Sequence, residues 1–165
     1  MKNVITKVIY LQTPKGIVST PLRIEVLYPD TDLPMEDMDP DSIEMYLTYK
    51  DTVYHGKGTD YLYADTLADL QVNLPENISI CCCLTCRHGN MCPYGNRPDL
   101  LWCTKDIIIN SKEDMCLLFD SENYESREVS SFGYCSCFSY QNNDDYTYND
   151  YGYVLRNRKK GDINV

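Results

Sequence analysis

The chain opens with two runs crowded with β-branched and aromatic residues, 4–11 and 17–28, separated by the turn signal Thr13-Pro14-Lys15-Gly16. Such runs fit a pleated, half-buried surface and predict an antiparallel hairpin. Pro21 predicts an edge position or a bulge in the second strand, because proline cannot donate to a ladder. Residues 45–55 carry the next run and predict a third strand, ended by Gly56-Lys57-Gly58. Asp60 then predicts a helix N-cap, and Leu62, Leu67, Leu70 and Leu74 give an apolar stripe along a helix that runs through Asn73. Pro75 stops it by disfavouring helix in the residue before it. Residues 78–83 predict a short buried strand. Residues 99–105, with the only tryptophan, Trp102, predict a strand running back antiparallel to it. Ser111-Lys112-Glu113-Asp114 has capping-box spacing ahead of Met115, Leu117, Leu118 and Phe119, so a short helix is expected there. Residues 130–140 predict a last strand, with Phe132 and Tyr134 alternating with small residues.

Charge changes the picture between residues 29 and 44. Asp30, Asp32, Glu36, Asp37, Asp39, Asp41 and Glu44 sit among three prolines with no Lys or Arg. Self-repulsion and the prolines predict a solvated loop, and Asp30, Asp32, Glu36, Asp37, Asp39 and Asp41 become the candidate docking residues for a basic protein partner. The order Asp-x-Asp-x-Asp-Gly of a calcium loop is absent. The whole chain of 165 residues carries a net charge of −10, which argues against nucleic acid and anionic membrane as partners, since both need clustered Lys and Arg. For a nucleic-acid-binding zinc module only Arg87, Arg97 and the basic end at Arg156, Arg158, Lys159 and Lys160 could serve. No run approaches the ~18 apolar residues of a membrane span, and no signal-peptide pattern follows Met1. The expectation is a cytoplasmic protein with reduced thiols. Residues 1–140 are expected to form a single domain with a metal knuckle at 81–103, followed by a Tyr-, Asn- and Asp-rich, partly mobile tail at 141–165.

Nine cysteines are an odd number, which a closed disulfide framework would not use up. Their spacing is Cys83-x2-Cys86-x5-Cys92-x10-Cys103-x12-Cys116-x18-Cys135-x-Cys137. A Cys-x2-Cys pair on a tight turn lets two thiolates grip one ion, and tetrahedral zinc needs two more ligands from elsewhere. Cys103 and Cys137 are the completing candidates, with Cys135 and Cys92 as alternatives and His88 as a competitor. On a strand Cys135 and Cys137 face the same way, so spacing does not separate them. Cys81, Cys82 and Cys116 are expected to be small buried hydrophobes. A redox Cys-x2-Cys needs a helix starting at the motif, but Arg87-His88-Gly89-Asn90 reads as a loop. An iron–sulfur run of Cys-x2-Cys-x2-Cys is absent. Nothing in the spacing brings Cys86 or Cys92 together with His55 or His88 as a nucleophile pair. An all-thiolate set makes zinc a poor Lewis acid, so a structural zinc is expected and no catalytic residue is assigned.

Cys83-Leu84-Thr85-Cys86, Cys92-Pro93-Tyr94-Gly95-Asn96, Leu101-Trp102-Cys103 and Tyr134-Cys135-Ser136-Cys137-Phe138 together resemble a group of small uncharacterised bacterial proteins, similar in style to immunity proteins of toxin systems. The resemblance covers roughly residues 60–140. It implies a four-cysteine metal site of Cys83, Cys86, Cys103 and one of Cys135 and Cys137. Cys92 and the doubled last cysteine depart from the pattern. The expected fold class is α+β: an antiparallel β-sheet, one main helix and a small zinc-stapled β unit. The expected function is that of a non-enzymatic binding protein, an immunity-type inhibitor of a basic partner; fifteen tyrosines suit such an interface. The competing expectation is a thiol-based redox protein or enzyme that uses Cys83-x2-Cys86 directly.

Overall fold

The computed structural model describes residues 1–31, 39–58, 63–94, 99–121 and 123–140. β1 (Lys2–Thr13) and β2 (Gly16–Leu27) pair antiparallel from Lys2↔Leu27 to Thr13↔Gly16. Thr13 closes the turn by donating its hydroxyl to the Gly16 carbonyl at 2.8 Å, and Gly16, at φ +110°, takes a conformation that side chains resist. β2 next pairs with β3 (Ser42–Tyr49), and β3 with β4 (Thr52–Gly58), both antiparallel. β5 (Ser79–Cys81) adds to the free side of β1, giving a five-stranded sheet in the order β4-β3-β2-β1-β5.

Alternate residues bury one face of this sheet: Ile9 and Leu11, Leu22, Ile24 and Val26, and Ile43, Met45 and Leu47. Helix α1 (Tyr63–Asn73) covers that face with Ala64, Leu67, Ala68 and Leu70. It approaches β4 closely because Gly56 has no side chain; a Cβ there would lie 2.6 Å from Leu70 Cβ. Gln71 ties the helix to the chain beyond it, accepting from Ile80 N at 2.7 Å and donating to Ile78 O at 3.0 Å. The Leu67, Leu70 and Leu74 stripe is buried as expected; the Asp60 cap and Leu62 lie outside the described residues.

A second, three-stranded antiparallel sheet follows, β6 (Gly89–Asn90), β7 (Leu100–Cys103) and β8 (Glu128–Ser130), in the order β6-β7-β8. Its Leu101 joins Leu84 and Phe132 in the same core as the large sheet. Helix α2 (Lys112–Phe119) starts at the expected capping box, with Asp114 N donating to Ser111 Oγ at 3.1 Å and Ser111 N to Asp114 Oδ2 at 3.0 Å. Phe119 then packs edge-on against Trp102 at 4.8 Å and stacks on Tyr124 at 5.0 Å. The architecture is α+β. No helix among the described residues is long and apolar enough to cross a membrane.

Four local expectations are corrected. Residues 45–55 are not one strand but the inner halves of a hairpin, turned by Lys50 and Asp51 at φ 49° and 61°. Two successive left-handed residues reverse the chain without the Asn-Gly or Asp-Gly that usually advertises such a turn. The acidic loop is shorter than 29–44, since β3 begins at Ser42 and takes Glu44 into the sheet. Pro21 sits in an interior strand without a bulge, opposite Val8; it is tolerated where the β2–β3 pairing has ended, at Leu22↔Leu47. β7 does not return along residues 78–83, because β1 takes the edge of β5 and the chain turns at once, so β7 meets Gly89–Asn90 instead.

The outward face of the large sheet carries a charge ladder. Nearly buried Glu25 pairs with Lys2 at 2.6 Å and with Arg23. Glu44 accepts from Tyr46 Oη at 2.5 Å and pairs with Lys57 and His55, each at 3.3 Å. The Tyr46 hydrogen bond, ahead of Lys57 and His55, holds the Glu44 carboxyl below its usual value, and the same bond pushes Tyr46 up to about 12. A depressed carboxyl stabilises the fold above the usual carboxylate range, and that contribution is lost as pH falls through the lowered value. Tyr46→Phe is expected to move the Glu44 titration upward, read by carboxyl-carbon NMR. An unchanged Glu44 midpoint would refute this account of the ladder.

Candidate metal centre

The knuckle is built directly on β5. Cys82 follows the strand as the N-cap of a single 3-10 turn, Cys83–Thr85, and its N–H donates to the Thr85 hydroxyl at 3.1 Å. Burial pushes the Cys82 thiol up to about 11, and the Cys81 Sγ lies 2.9 Å from Tyr140 Oη. Cys81 and Cys82 are therefore packing residues, as expected. Cys116 is only half-buried.

After the 3-10 turn the chain folds back on itself so tightly that Gly89 N donates to Cys86 O at 3.1 Å. A Cβ on Gly89 would lie 2.0 Å from the Cys83 carbonyl oxygen, so only glycine closes this turn. Gly89 also pairs with Cys103 across β6 and β7, which carries the third thiol to the knuckle. The late segment is strapped along the opposite side by Cys83 N to Gly133 O at 2.7 Å, Leu84 N to Ser131 O at 3.0 Å and Arg87 N to Ser139 O at 2.9 Å. Cys86 and Tyr140 form an isolated antiparallel bridge.

Residues 131–139 are thus turns rather than the expected strand, with Phe138 N bonded to Cys135 O at 3.0 Å. Gly133 interrupts the run; a Cβ there would press at 3.3 Å on Cys83 Sγ. The same-face argument for Cys135 and Cys137 falls with the strand, and both are exposed.

Five thiols nevertheless meet. A cavity of about 20 Å³ is lined by Cys83, Cys86, Cys103, Cys135 and Cys137, with His88 and Lys105 at its wall. A wider hollow of about 550 Å³ adjoins it and is lined by Cys83, Cys103 and Cys135 but not by Cys137. Burial, then the charges of Cys82, Cys86, Cys103 and Cys135, push the Cys83 thiol up to about 12. Cys135 thus shares both spaces with Cys83 and Cys103, and Cys137 only the smaller one. Cys92 lines neither space and sits instead beside Tyr94. Among the described residues, no group of three or more His, Cys, Asp or Glu side chains is arranged to hold a metal as it stands. The thiols share a cavity wall without forming a closed ligand set.

The acidic candidates lie elsewhere. Asp30, Asp39 and Asp41 are exposed on the loop between β2 and β3, while Asp32, Glu36 and Asp37 lie outside the described residues, as does the tail from 141. That loop joins β2 to β3, whereas the thiols gather on the chain beyond β5, which pairs with β1 at Tyr10 to Gln12. Spacing pointed to most of the thiols but missed Gly89 and Gly133, whose signal is only that each glycine stands close to a cysteine. Neither a protein-family model nor a curated protein matches the chain.

Proposed function

We propose that this chain is a non-enzymatic, cytoplasmic protein-binding domain whose C-terminal unit is closed by one structural zinc on Cys83, Cys86, Cys103 and Cys135. The observation that carries the metal reading is the meeting of five thiols from three separate chain segments around one small cavity. At about 20 Å³ the cavity admits an atom-sized guest. Small-molecule sites run to roughly 300 Å³ and more. Thiolate donors suit zinc, and four of them leave no open position for a water or substrate. The zinc supplies a cross-link and the balancing charge for its thiolates; Lys105 on the wall and the strap of residues 131–139 hold the donors around it. Metal binding deprotonates its thiol ligands, so the site in this reading assembles with the ion.

The Cys83-x2-Cys86 pair opens a three-residue 3-10 turn and not a helix, so the helix end that activates a redox thiol is missing at this motif. The binding surface in this reading is the acidic loop with Asp30, Asp39 and Asp41, which fits a basic protein partner of the kind an immunity-type inhibitor would meet. Elemental analysis of the purified chain tests the metal reading: one zinc per chain is expected, and iron or no metal would overturn it. The partner reading is tested by capture at low and high salt, where recovery of no basic protein at either would count against it.

A further inference from the structure

Zinc takes four ligands, and five thiols line its proposed cavity. The fifth is Cys137, exposed on the turn two residues beyond Cys135, which is exposed as well. Cys83 and Cys103 are half-buried and Cys86 is buried. We infer that Cys137 is a peroxide-sensing thiol whose oxidation expels the zinc. This rests on the structural-zinc reading above and adds to it a mode of regulation.

The chemistry balances with a peroxide as the oxidant. The Cys137 thiolate attacks one oxygen of hydrogen peroxide; the O–O bond breaks, hydroxide leaves, and Cys137 becomes a sulfenic acid. A ligand thiolate lining the same cavity then attacks the Cys137 sulfur, an S–S bond forms, and a second hydroxide leaves. Two protons convert both hydroxides to water. Two thiolates have lost two electrons, which the peroxide has gained. With one ligand thiolate drawn into the disulfide, three of the four assigned thiolates would be left to hold the metal. The strap is attached to the knuckle by three backbone hydrogen bonds and the Cys86–Tyr140 bridge. It is also held by buried Ser131 and Phe132 and by the Tyr10–Tyr134 stack at 4.7 Å, contacts that do not depend on the metal.

Exposure decides which thiol reacts first. Cys82 has the apolar burial of an inert cysteine, and Cys92 and Cys116 lie away from the cavity beside Tyr94, so their oxidation leaves the ligands intact. Cys137 alone combines an exposed position with a place on the cavity wall and no role among the four ligands assigned here.

The test uses the full chain as purified, its zinc counted first. Hydrogen peroxide is added in about tenfold excess, zinc release is followed with a colorimetric indicator, and disulfides are mapped by peptide mass spectrometry. The expected result is one zinc released per chain, with a disulfide joining Cys137 to one of Cys83, Cys86, Cys103 or Cys135. Cys137→Ser is expected to keep its zinc and to release it at least roughly tenfold more slowly; Cys92→Ser is expected to behave as the parent. Release from Cys137→Ser at the parent rate overturns the inference while leaving the metal site standing. A Cys137→Ser chain without zinc overturns it too, because Cys137 is then a ligand. Parent protein without zinc overturns the metal reading and this inference together.

Discussion

Cys83→Ser is expected to empty the metal site and unfold the C-terminal unit while the large sheet persists. Cys83 lines both the small cavity and the adjoining hollow, as Cys103 and Cys135 do, and its backbone N–H in addition anchors the late strap at Gly133. A structural zinc site contributes on the order of 10 kcal/mol to folding, as much as the whole stability of an ordinary domain. The two-, four- and three-residue strands β6, β7 and β8 have little to set against that loss. Trp102 reports the outcome, since the only tryptophan is buried in β7 against Phe119. Its emission is expected to move to that of a solvated indole, zinc per chain to fall from one to near zero, and far-ultraviolet β signal to remain. Cys92→Ser and Cys116→Ser, which lie away from the cavity, are expected to keep zinc and emission unchanged. A Cys83→Ser chain that still carries one zinc would sink the ligand assignment.

Gly89→Ala is the second large effect, and it works without touching a thiol. The added methyl meets the Cys83 carbonyl oxygen at 2.0 Å, a contact the backbone cannot accept without opening the turn. Overpacking of this kind costs about 1–3 kcal/mol and sometimes more. Here the turn that must open also sets the Cys83–Cys86 bite and the Gly89↔Cys103 pairing, so the expected cost is at the upper end of that range, roughly 3 kcal/mol. Chemical denaturation and zinc competition with a chelator read the two consequences separately. Gly56→Ala is the comparison, because it crowds α1 against β4 at 2.6 Å and leaves the knuckle alone. It is expected to lower stability with zinc affinity unchanged; equal loss of zinc affinity in both variants would refute a local role for Gly89.

The elements that were legible in the sequence are those whose signals are local. The first hairpin, the Leu67–Leu70–Leu74 stripe and the Ser111 capping box each rest on spacing within one element, and each is found where the spacing puts it. The Lys50-Asp51 turn was hidden because neither residue demands a left-handed conformation; the pairing of β3 with β4 imposes it. The pairing of β5 with β1 was hidden for a different reason. A three-residue strand carries no pattern that names its partner, so the Gln71 side chain and the core decide it. At the thiols, spacing singled out Cys83, Cys86 and Cys103, which share the cavity. It left Cys135 and Cys137 unresolved because it read a strand where Gly133 makes a turn.

The strap has a consequence for how the protein is made. Successive hairpins and α1 bring together residues that are neighbours in the chain, so the large sheet can assemble as it leaves the ribosome. Cys83 must wait for Cys135, about 50 residues later in the sequence, which at ribosomal speed is a delay of roughly 3–10 seconds. Throughout that interval Cys83 and Cys86 stand beside a finished sheet with half their partners unborn. A zinc bound as proposed would be a late arrival, and a polypeptide cut short before Cys135 would leave the ribosome with its sheet formed and its thiol cluster incomplete.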